Sequence, residues 1–267
     1  MGDRDGSFAD MQRSAVVGIG MAVDIAINYP LWIAAKRIGA GLPAFPGTVA
    51  EVYRGGGSLW LSLGPTTIME DVAKRSAEFA LPQDQPQREL VASAFAGALA
   101  GGTFCAQVER VIAAAHARGA PMGQTLASLY REGQARSSSP LGGLSSLLLP
   151  PGMAAMMGRE VPFVAALFYV RPLVTTALYG DDGGTRQVHL EVAAGLATSA
   201  LTSPVSHVPS VVAAYQQGHG VGLHRACQDI YGQGGLLAFW RGLGARTLTL
   251  AGTMIVVPNV MAVLLPE

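Results

Sequence analysis

Long apolar stretches with almost no charge dominate the chain. Residues 14–35 contain Asp24 as their single charged residue, and four further windows contain no Asp, Glu, Lys or Arg: residues 91–108, 137–158, 192–224 and 247–266. A helix needs about 20 mostly apolar residues to cross a bilayer, and several windows are long enough. The pattern predicts membrane-spanning helices. The alternative, an Ala- and Gly-rich soluble α/β enzyme, is disfavoured because no alternation of strands and helices is visible.

The composition is also that of a membrane protein. Half of the 267 residues are hydrophobic and only 13% are charged, about half of what soluble domains carry. The 18 basic and 18 acidic side chains cancel, so we expect no nucleic-acid partner, because such a partner requires a basic surface. Residues 1–14 contain no apolar core typical of a signal peptide. We therefore expect any membrane-targeting signal to be internal.

One unit recurs three times, at approximately residues 12–85, 86–180 and 187–265. Each unit begins with a helix rich in small residues, continues through a polar loop and a short amphipathic helix, and ends with a second apolar helix. The three short helices end on related sequences, each closing on Gly as helix C-termini often do: VYRG (52–55), LYREG (129–133) and IYGQG (230–234). The region between the second short helix and the helix that follows it, residues 133–149, is predicted to be a loop.

The first helix of each unit carries small residues or proline at related places. Gly97 and Gly101 lie one turn apart, a spacing that lets helix backbones approach closely in lipid. Pro30 and Pro204 lie within the first helices of the outer units, and Gln107 takes that place in the middle unit. Proline kinks a helix, and neighbouring helices in a membrane can absorb the cost. These features predict a closely packed helical bundle.

With units in this order and spacing, the chain resembles the mitochondrial carrier family over nearly its whole length. The strongest local likenesses are GREVPF (158–163), followed by Phe168, and GLLAFWRGLGAR (235–246). The resemblance implies an all-α membrane protein, a single domain over residues 1–267 in which six transmembrane helices form three pseudo-symmetric repeats with short helices on the matrix side. It also implies a multi-pass location in the mitochondrial inner membrane.

The resemblance further implies two gates, and both lack their charges here. In the family, a Pro-x-Asp/Glu-x-x-Lys/Arg motif supplies three ion pairs to the matrix gate, and the corresponding positions are Pro30, Trp32, Gln107, Glu109, Pro204 and Ser206. Only Glu109 is charged, so a ring of three pairs cannot form, although one pair between Glu109 and Lys36 can. The opposite gate maps to FALP (79–82) and RPLV (171–174), and we expect it to be lost as well.

The family's substrate contact points map onto Glu70, Arg159 with Glu160, and Thr249. An Arg followed by an acid at the second of these positions resembles amino-acid-type carriers. Charges at bilayer depth are costly and often functional. The alternative is that Arg159 and Glu160 neutralise each other, or pair with Glu70, for structure alone. Asp24 has no counterpart in the family, and we expect it to be a hydrogen-bonded residue of the cavity.

The loss of both gates favours a non-transporting structural or accessory subunit of an inner-membrane assembly such as the respiratory chain. Two alternatives stay open: a working transporter of an amino acid or small carboxylate, and an outer-membrane relative that acts in protein insertion or membrane dynamics. We expect no enzymatic activity, cofactor or metal, since no motif for these is present. The expected partners are membrane lipid, cardiolipin included, and other subunits of a mitochondrial complex.

Overall fold

The chain is built from helices. A computed structural model describes residues 3–39, 43–53, 56–137, 139, 141–179 and 187–265. No strand occurs in this part of the chain. The helices are α1 (Asp3–Gly39), α2 (Val49–Val52), α3 (Gly56–Ala80), α4 (Arg88–Ala100), α5 (Ala106–Arg118), α6 (Met122–Arg136), α7 (Gly142–Leu148), α8 (Met153–Ala165), α9 (Arg171–Tyr179), α10 (Val188–His219), α11 (Leu223–Gly232) and α12 (Leu243–Leu264).

Two pairs of these helices are continuous across a wider turn. A π-helical turn at Gly101–Cys105 joins α4 to α5, and another at Ala166–Val170 joins α8 to α9. Such turns insert an extra residue into the helical ladder and bend the helix. Each pair therefore acts as one long, bent helix. A 3₁₀ segment, Gly235–Trp240, leads into α12.

The long helices pack in a ring that follows the order of the chain. α1 packs against α3, α3 against α4, α4 against α8, α8 against α10, and α10 against α12, while α12 returns to α1. The contact between α1 and α12 closes the ring. Side chains that point inward from several helices can therefore meet in the middle.

Four helical segments of the described chain are long and apolar enough to cross a membrane: Gln12–Ile38, Arg88–His116, Gly142–Tyr179 and Gly235–Leu264. They correspond to four of the charge-poor windows recognised in the sequence. α3 and α10, the other two members of the ring, are not in this set. The four apolar segments indicate an all-helical, membrane-embedded protein.

Glycine brings the backbones of α4 and α8 together. A Cβ atom built on Gly97 would lie 2.6 Å from the carbonyl oxygen of Glu160, and one on Gly101 would lie 2.7 Å from Cα of Met157. No side chain larger than hydrogen fits at such distances, since carbon atoms in contact are about 3.5–4.0 Å apart. The close approach predicted from the glycine spacing is confirmed.

The segment between α6 and α8 differs from its prediction. α6 does not close at Gly133 but runs to Arg136, and the expected loop contains α7, which folds back against α6. Gly133 lies at that contact, because a Cβ atom there would be 2.9 Å from the carbonyl oxygen of Gly142. This glycine therefore permits packing and does not end a helix.

The other two predicted short helices correspond to α2 and α11. α11 ends at Gly232, inside the predicted IYGQG terminus and two residues before Gly234. α2 ends at Val52, and Arg54 and Gly55 of the predicted VYRG terminus lie outside the described residues.

A candidate site inside the helical ring

Four charged side chains, which we call the central network, meet inside the ring. Glu109 of α5 forms an ion pair with Lys36 of α1, and its other oxygen accepts a hydrogen bond of 2.6 Å from Nη1 of Arg159 in α8. Arg159 also donates to the carboxylate of Glu160 beside it. Glu109 is only 2% exposed, and Arg159 and Glu160 are buried as well. The two positive and two negative charges balance, and the network bridges three helices.

Two expectations about these residues are confirmed. The single pair that the sequence allowed between Lys36 and Glu109 is formed, and Arg159 and Glu160 neutralise each other. Glu70 of α3 is buried within electrostatic range of Arg159 and Glu160. Within the described residues Glu70 makes no ion pair, so the alternative pairing with Arg159 is not seen.

An aromatic platform on α1 positions Lys36. The ammonium group lies 4.4 Å from the ring centre of Trp32, and Trp32 stacks on Tyr29 with ring centres 5.7 Å apart. Residues three and four positions apart share one face of a helix, which places the three side chains in a column. A cation over an indole ring is stabilised by the ring's electrons. The column therefore directs the lysine toward Glu109.

A cavity, which we call the central cavity, adjoins the network. Its polar lining comes from α1, α5, α8 and α12: Asp24, Asn28, Glu109, Arg159, Glu160, Arg246, Thr249 and Thr253. Most of its surface is apolar and comes from Met21, Ile25, Tyr29, Trp32, Leu59, Leu63, Phe163 and Leu250. The cavity is therefore amphipathic, with charge concentrated on part of its wall.

Asp24 is fully bonded on the wall between α1 and α12. Oγ1 of Thr253 donates to one carboxylate oxygen at 2.7 Å, and the side-chain amide of Asn28 donates to the other. Asn28 packs directly against Gly252, where a side chain would overlap it. The expectation that Asp24 is a satisfied cavity residue is confirmed.

Arg246 is the feature of this wall that the sequence analysis missed. Its side chain is 7% exposed, and its Nε has no hydrogen-bond partner. Among the described residues no carboxylate forms an ion pair with it. Arg246, Thr249, Leu250 and Thr253 are spaced three or four residues apart in α12, so they share one helix face. That spacing was the signal in the sequence that could have placed Arg246 in the cavity.

Thr249 also lines a second cavity, together with Trp32, Lys36 and Arg246. Its hydroxyl donates to the carbonyl oxygen of Ala245 one turn earlier, at 2.8 Å. Of the four substrate positions taken from the family resemblance, Thr249, Arg159 and Glu160 line the central cavity, and Glu70 is not among its lining residues.

The positions that the family resemblance assigns to a matrix gate in the first two units make other contacts. Trp32 lies under Lys36, and Gln107 is directed away from the network. The side-chain amide of Gln107 donates to the carbonyl oxygen of Leu148 in α7 at 2.8 Å. Glu109 is therefore the gate position that reaches the centre with a charge.

The positions that the resemblance assigns to this gate in the third unit, Pro204 and Ser206, carry no charge. Ser206 is buried and donates to the carbonyl oxygen of Ser203 in its own helix, at 3.3 Å. Pro30 and Pro204 are half-buried inside α1 and α10. In the part of the chain that is described, no ring of ion pairs links the three units at these positions.

A buried ion pair that the sequence analysis did not anticipate lies elsewhere in the ring. Arg171, the first residue of α9, pairs with Glu191 of α10 and donates through Nε to the carbonyl oxygen of Met254 in α12 at 2.6 Å. Arg171 belongs to the RPLV segment assigned to a lost gate. Arg171 therefore joins α9, α10 and α12 through one ion pair and one hydrogen bond.

The described residues contain no group of three or more His, Cys, Asp or Glu side chains placed to hold a metal ion. Comparison of the sequence with protein-family models and with curated proteins finds no match. The function is therefore argued from the helical ring and from the charges inside it.

Proposed function

We propose that this chain is a carrier-like bundle of six membrane-spanning helices in three repeats, which serves as a structural, non-transporting subunit of a mitochondrial inner-membrane assembly. The observation that carries the proposal is the central network. It joins α1, α5 and α8 through buried charges at the place where the family resemblance would put a solute.

The closed ring supports six spans. α3 has 25 residues and α10 has 32, lengths of about 37 and 48 Å, and both exceed the roughly 30 Å of a bilayer's hydrocarbon core. α10 is polar inside and apolar outside: Ser199 and Ser203 are buried, while Leu201 and Val205 are about two-thirds exposed at 65% and 64%. Apolar side chains on the outer face are what lipid requires.

The same outer face supports the proposed partners. Large apolar side chains are exposed on several helices of the ring, among them Ile27, Phe95, Leu196, Leu201 and Leu248. We propose that membrane lipid, cardiolipin included, and neighbouring subunits cover this surface. Scattered exposed leucines are common on soluble proteins, but a belt of them around buried serines is typical of membrane bundles.

The network argues against alternating access. A carrier must break and remake its closing contacts so that two states have similar free energies. Separating α5 from α1 and α8 would leave Lys36, Glu109 and Arg159 with fewer partners in a buried environment, at a cost of about 3–5 kcal/mol. Trp32 and Ser206, at the remaining gate positions, offer no charge that could compensate. The bundle is expected to stay in one state.

A working transporter of an amino acid or small carboxylate is the second candidate, and the central cavity favours it. Charged and polar side chains line part of its wall. In that case Arg159, Glu160 and Thr249 would contact the solute, whereas Glu70, the fourth position from the resemblance, is not in the lining.

Two measurements test the proposal. Extracted in mild detergent from its native membrane, the protein should migrate on native gels with a large complex. Purified and reconstituted into liposomes, it should exchange labelled amino acids and carboxylates no faster than protein-free vesicles. Exchange that collapses in Arg159→Gln but survives in the matched surface variant Arg118→Gln would overturn the structural role and establish the transporter.

A further inference from the structure

We propose that α7 is a half-inserted membrane element, which enters one leaflet beside α5 and turns a stripe of leucines toward the lipid acyl chains. Four leucines in and next to α7, each at least 46% exposed, form this leucine stripe: Leu141, Leu144, Leu148 and Leu149. The inference goes beyond the proposed function, because it adds a membrane contact outside the ring and holds whether or not the chain moves a solute. It rests on the membrane-embedded character of the ring.

The position of Gln107 fixes how deep α7 lies. The apolar segment Arg88–His116 is long enough to cross a membrane and has 29 residues, so its middle residue is Gly102. A hydrocarbon core of about 30 Å that is centred on this segment extends about 15 Å to either side of Gly102. Gln107 follows Gly102 by five residues, about 7 Å along the helix axis. Gln107 is therefore inside the core, and its side-chain amide donates to the carbonyl oxygen of Leu148, the last residue of α7, at 2.8 Å.

Gln107 also shows which side of the ring α7 lies on. Phe104, three residues earlier and thus on about the same face of the helix, is 43% exposed and lines neither of the two cavities. The amide of Gln107 is therefore a polar group on a face that lipid covers, and such a group is unfavourable there without a hydrogen bond. It has two acceptors, the carbonyl oxygen of Leu148 and, at 3.0 Å, that of Gly102. An α7 that lies beside it in the leaflet explains the glutamine.

Glutamine side chains close both ends of α7. Lipid offers no hydrogen bonds, so polar backbone groups at this depth need partners within the protein, and the ends of a helix carry the groups that lack one. At the start of α7, the backbone amide of Gly143 donates to Oε1 of Gln134 at 3.1 Å. At its end, Gln107 donates to Leu148. In water the solvent would serve these groups, whereas in a leaflet the protein has to.

The side chains of α7 need no water either. The hydroxyl groups of Ser145 and Ser146 donate to the carbonyl oxygens of Gly142 and Gly143, three residues earlier in the same helix, at 3.1 and 2.8 Å. No Asp, Glu, Lys or Arg occurs from residue 137 to residue 158. α7 therefore carries no unbonded serine hydroxyl and no charge that would oppose its entry into lipid.

α6 provides a polar border at the membrane surface. Tyr130 is 43% exposed and packs against α7, where a Cβ atom on Gly143 would lie 2.6 Å from its ring. Arg131 and Arg136 are exposed on the same helix. Tyrosine and arginine are typical of the level of the lipid headgroups, and the arginines complement the charge of the phosphates. Lipid is favoured over a protein partner as the cover of the leucine stripe, because α7 leads directly into α8 within the apolar segment Gly142–Tyr179.

Spin labels on α7 test where the leucine stripe lies. The full chain carrying Cys227→Ala, in which Cys105 remains because it is buried, is labelled at Leu144→Cys or Leu148→Cys and reconstituted into vesicles of phosphatidylcholine and phosphatidylglycerol. Collisions of the nitroxide with oxygen, which concentrates in lipid, and with a water-soluble nickel chelate are measured. Oxygen should collide more often than nickel at both leucine positions. Nickel should collide more often at the control Arg225→Cys, because that side chain is 69% exposed on α11.

Two results would overturn the proposal. A majority of nickel collisions at Leu144→Cys and Leu148→Cys would place the leucine stripe in water. Low collision rates with both reagents would show that protein, and not lipid, covers it.

Depth and the role of Gln107 are tested in the same vesicles. The excess of oxygen over nickel collisions should be larger at Leu148→Cys than at Leu141→Cys, because Gln107 holds the end of α7 deeper than its start; the reverse order would overturn the depth. Gln107→Leu should raise nickel collisions at Leu148→Cys, since the carbonyl oxygen that loses its donor moves toward water. Gln87→Leu changes an exposed glutamine just before α4 and should not, so equal effects would overturn the role of Gln107. If Gln107→Leu does not fold, the comparison of Leu141→Cys with Leu148→Cys decides the depth without it.

The insertion of α7 and the proposed function fail separately. Solute exchange by reconstituted liposomes would overturn the structural role and leave the insertion of α7 unaffected. A leucine stripe in water would overturn the insertion alone, because the structural role is judged by migration on native gels and by solute exchange.

Discussion

Replacing Glu109 with glutamine tests whether the central network stabilises the bundle. The carboxylate serves two cations, Lys36 and Arg159, from two different helices. Glutamine keeps the size of the side chain and removes its charge. Arg159 then retains Glu160, whereas Lys36 loses the one acidic partner it has among the described residues.

The expected loss of unfolding free energy is about 3 kcal/mol, the lower end of the cost of breaking a buried pair. It is not larger because Arg159 keeps one carboxylate, and because Lys36 is 17% exposed and rests on Trp32. Lys36→Met should cost less, about 1 kcal/mol, since Glu109 keeps its hydrogen bond from Arg159. The double variant should cost less than the sum of the two, because residues in one network are coupled.

The assay is denaturant unfolding of the purified chain in micelles, followed by tryptophan fluorescence. Glu132→Gln is the matched control, because Glu132 pairs with Arg118 at 2.7 Å and both side chains are more than one-third exposed. Exposed pairs contribute less than about 1 kcal/mol. If Glu109→Gln costs no more than Glu132→Gln, or if the double variant is strictly additive, the network does not hold the helices together.

Three further outcomes are expected. Gly97→Ala should destabilise the bundle by about 1–3 kcal/mol, because the added methyl group overpacks α4 on α8. Gly218→Ala should not, because no atom lies near the position of its Cβ. Equal effects of the two variants in thermal unfolding would contradict the close approach of α4 and α8. Glu191→Gln should cost about 3 kcal/mol because it leaves Arg171 buried without its acid, as measured by the same unfolding titration. A hydrogen bond from Arg118 lowers the pKa of Glu132. The stability that Glu132 contributes is therefore present above its ordinary pKa and is lost as the pH falls through the lowered pKa. The difference in melting temperature between the wild type and Glu132→Gln should shrink over that acid range.

Much of the fold could be predicted because membrane helices and their packing leave local signals. Four of the five charge-poor windows correspond to apolar helical segments long enough to cross a membrane, and two glycines one turn apart place α4 against α8. The pairing of Lys36 with Glu109 was expected from the gate positions that the family resemblance assigns, because Glu109 is the one acid at those positions and Lys36 lies one place after the position of a base.

The missed features depend on contacts between distant segments. Arg171 finds Glu191 only because α9 packs on α10, and its bond to the carbonyl oxygen of Met254 requires the ring to bring α12 alongside. α7 was missed because its sequence is rich in Ser and Gly and shows no helical period. It is stabilised by packing against α6, where Gly133 allows the contact.

The proposed structural role depends on how the central network replaces the contacts that the family resemblance implies. Trp32 occupies a place where the resemblance implies an acid, and it offers a ring face, over which Lys36 lies. Lys36 therefore has its acid in Glu109 of α5, which also accepts a hydrogen bond from Arg159 of α8. A contact that a transporter would break and remake is thus proposed to be one buried network across three helices. Because each member of the network holds another, we expect the bundle to stay in one state.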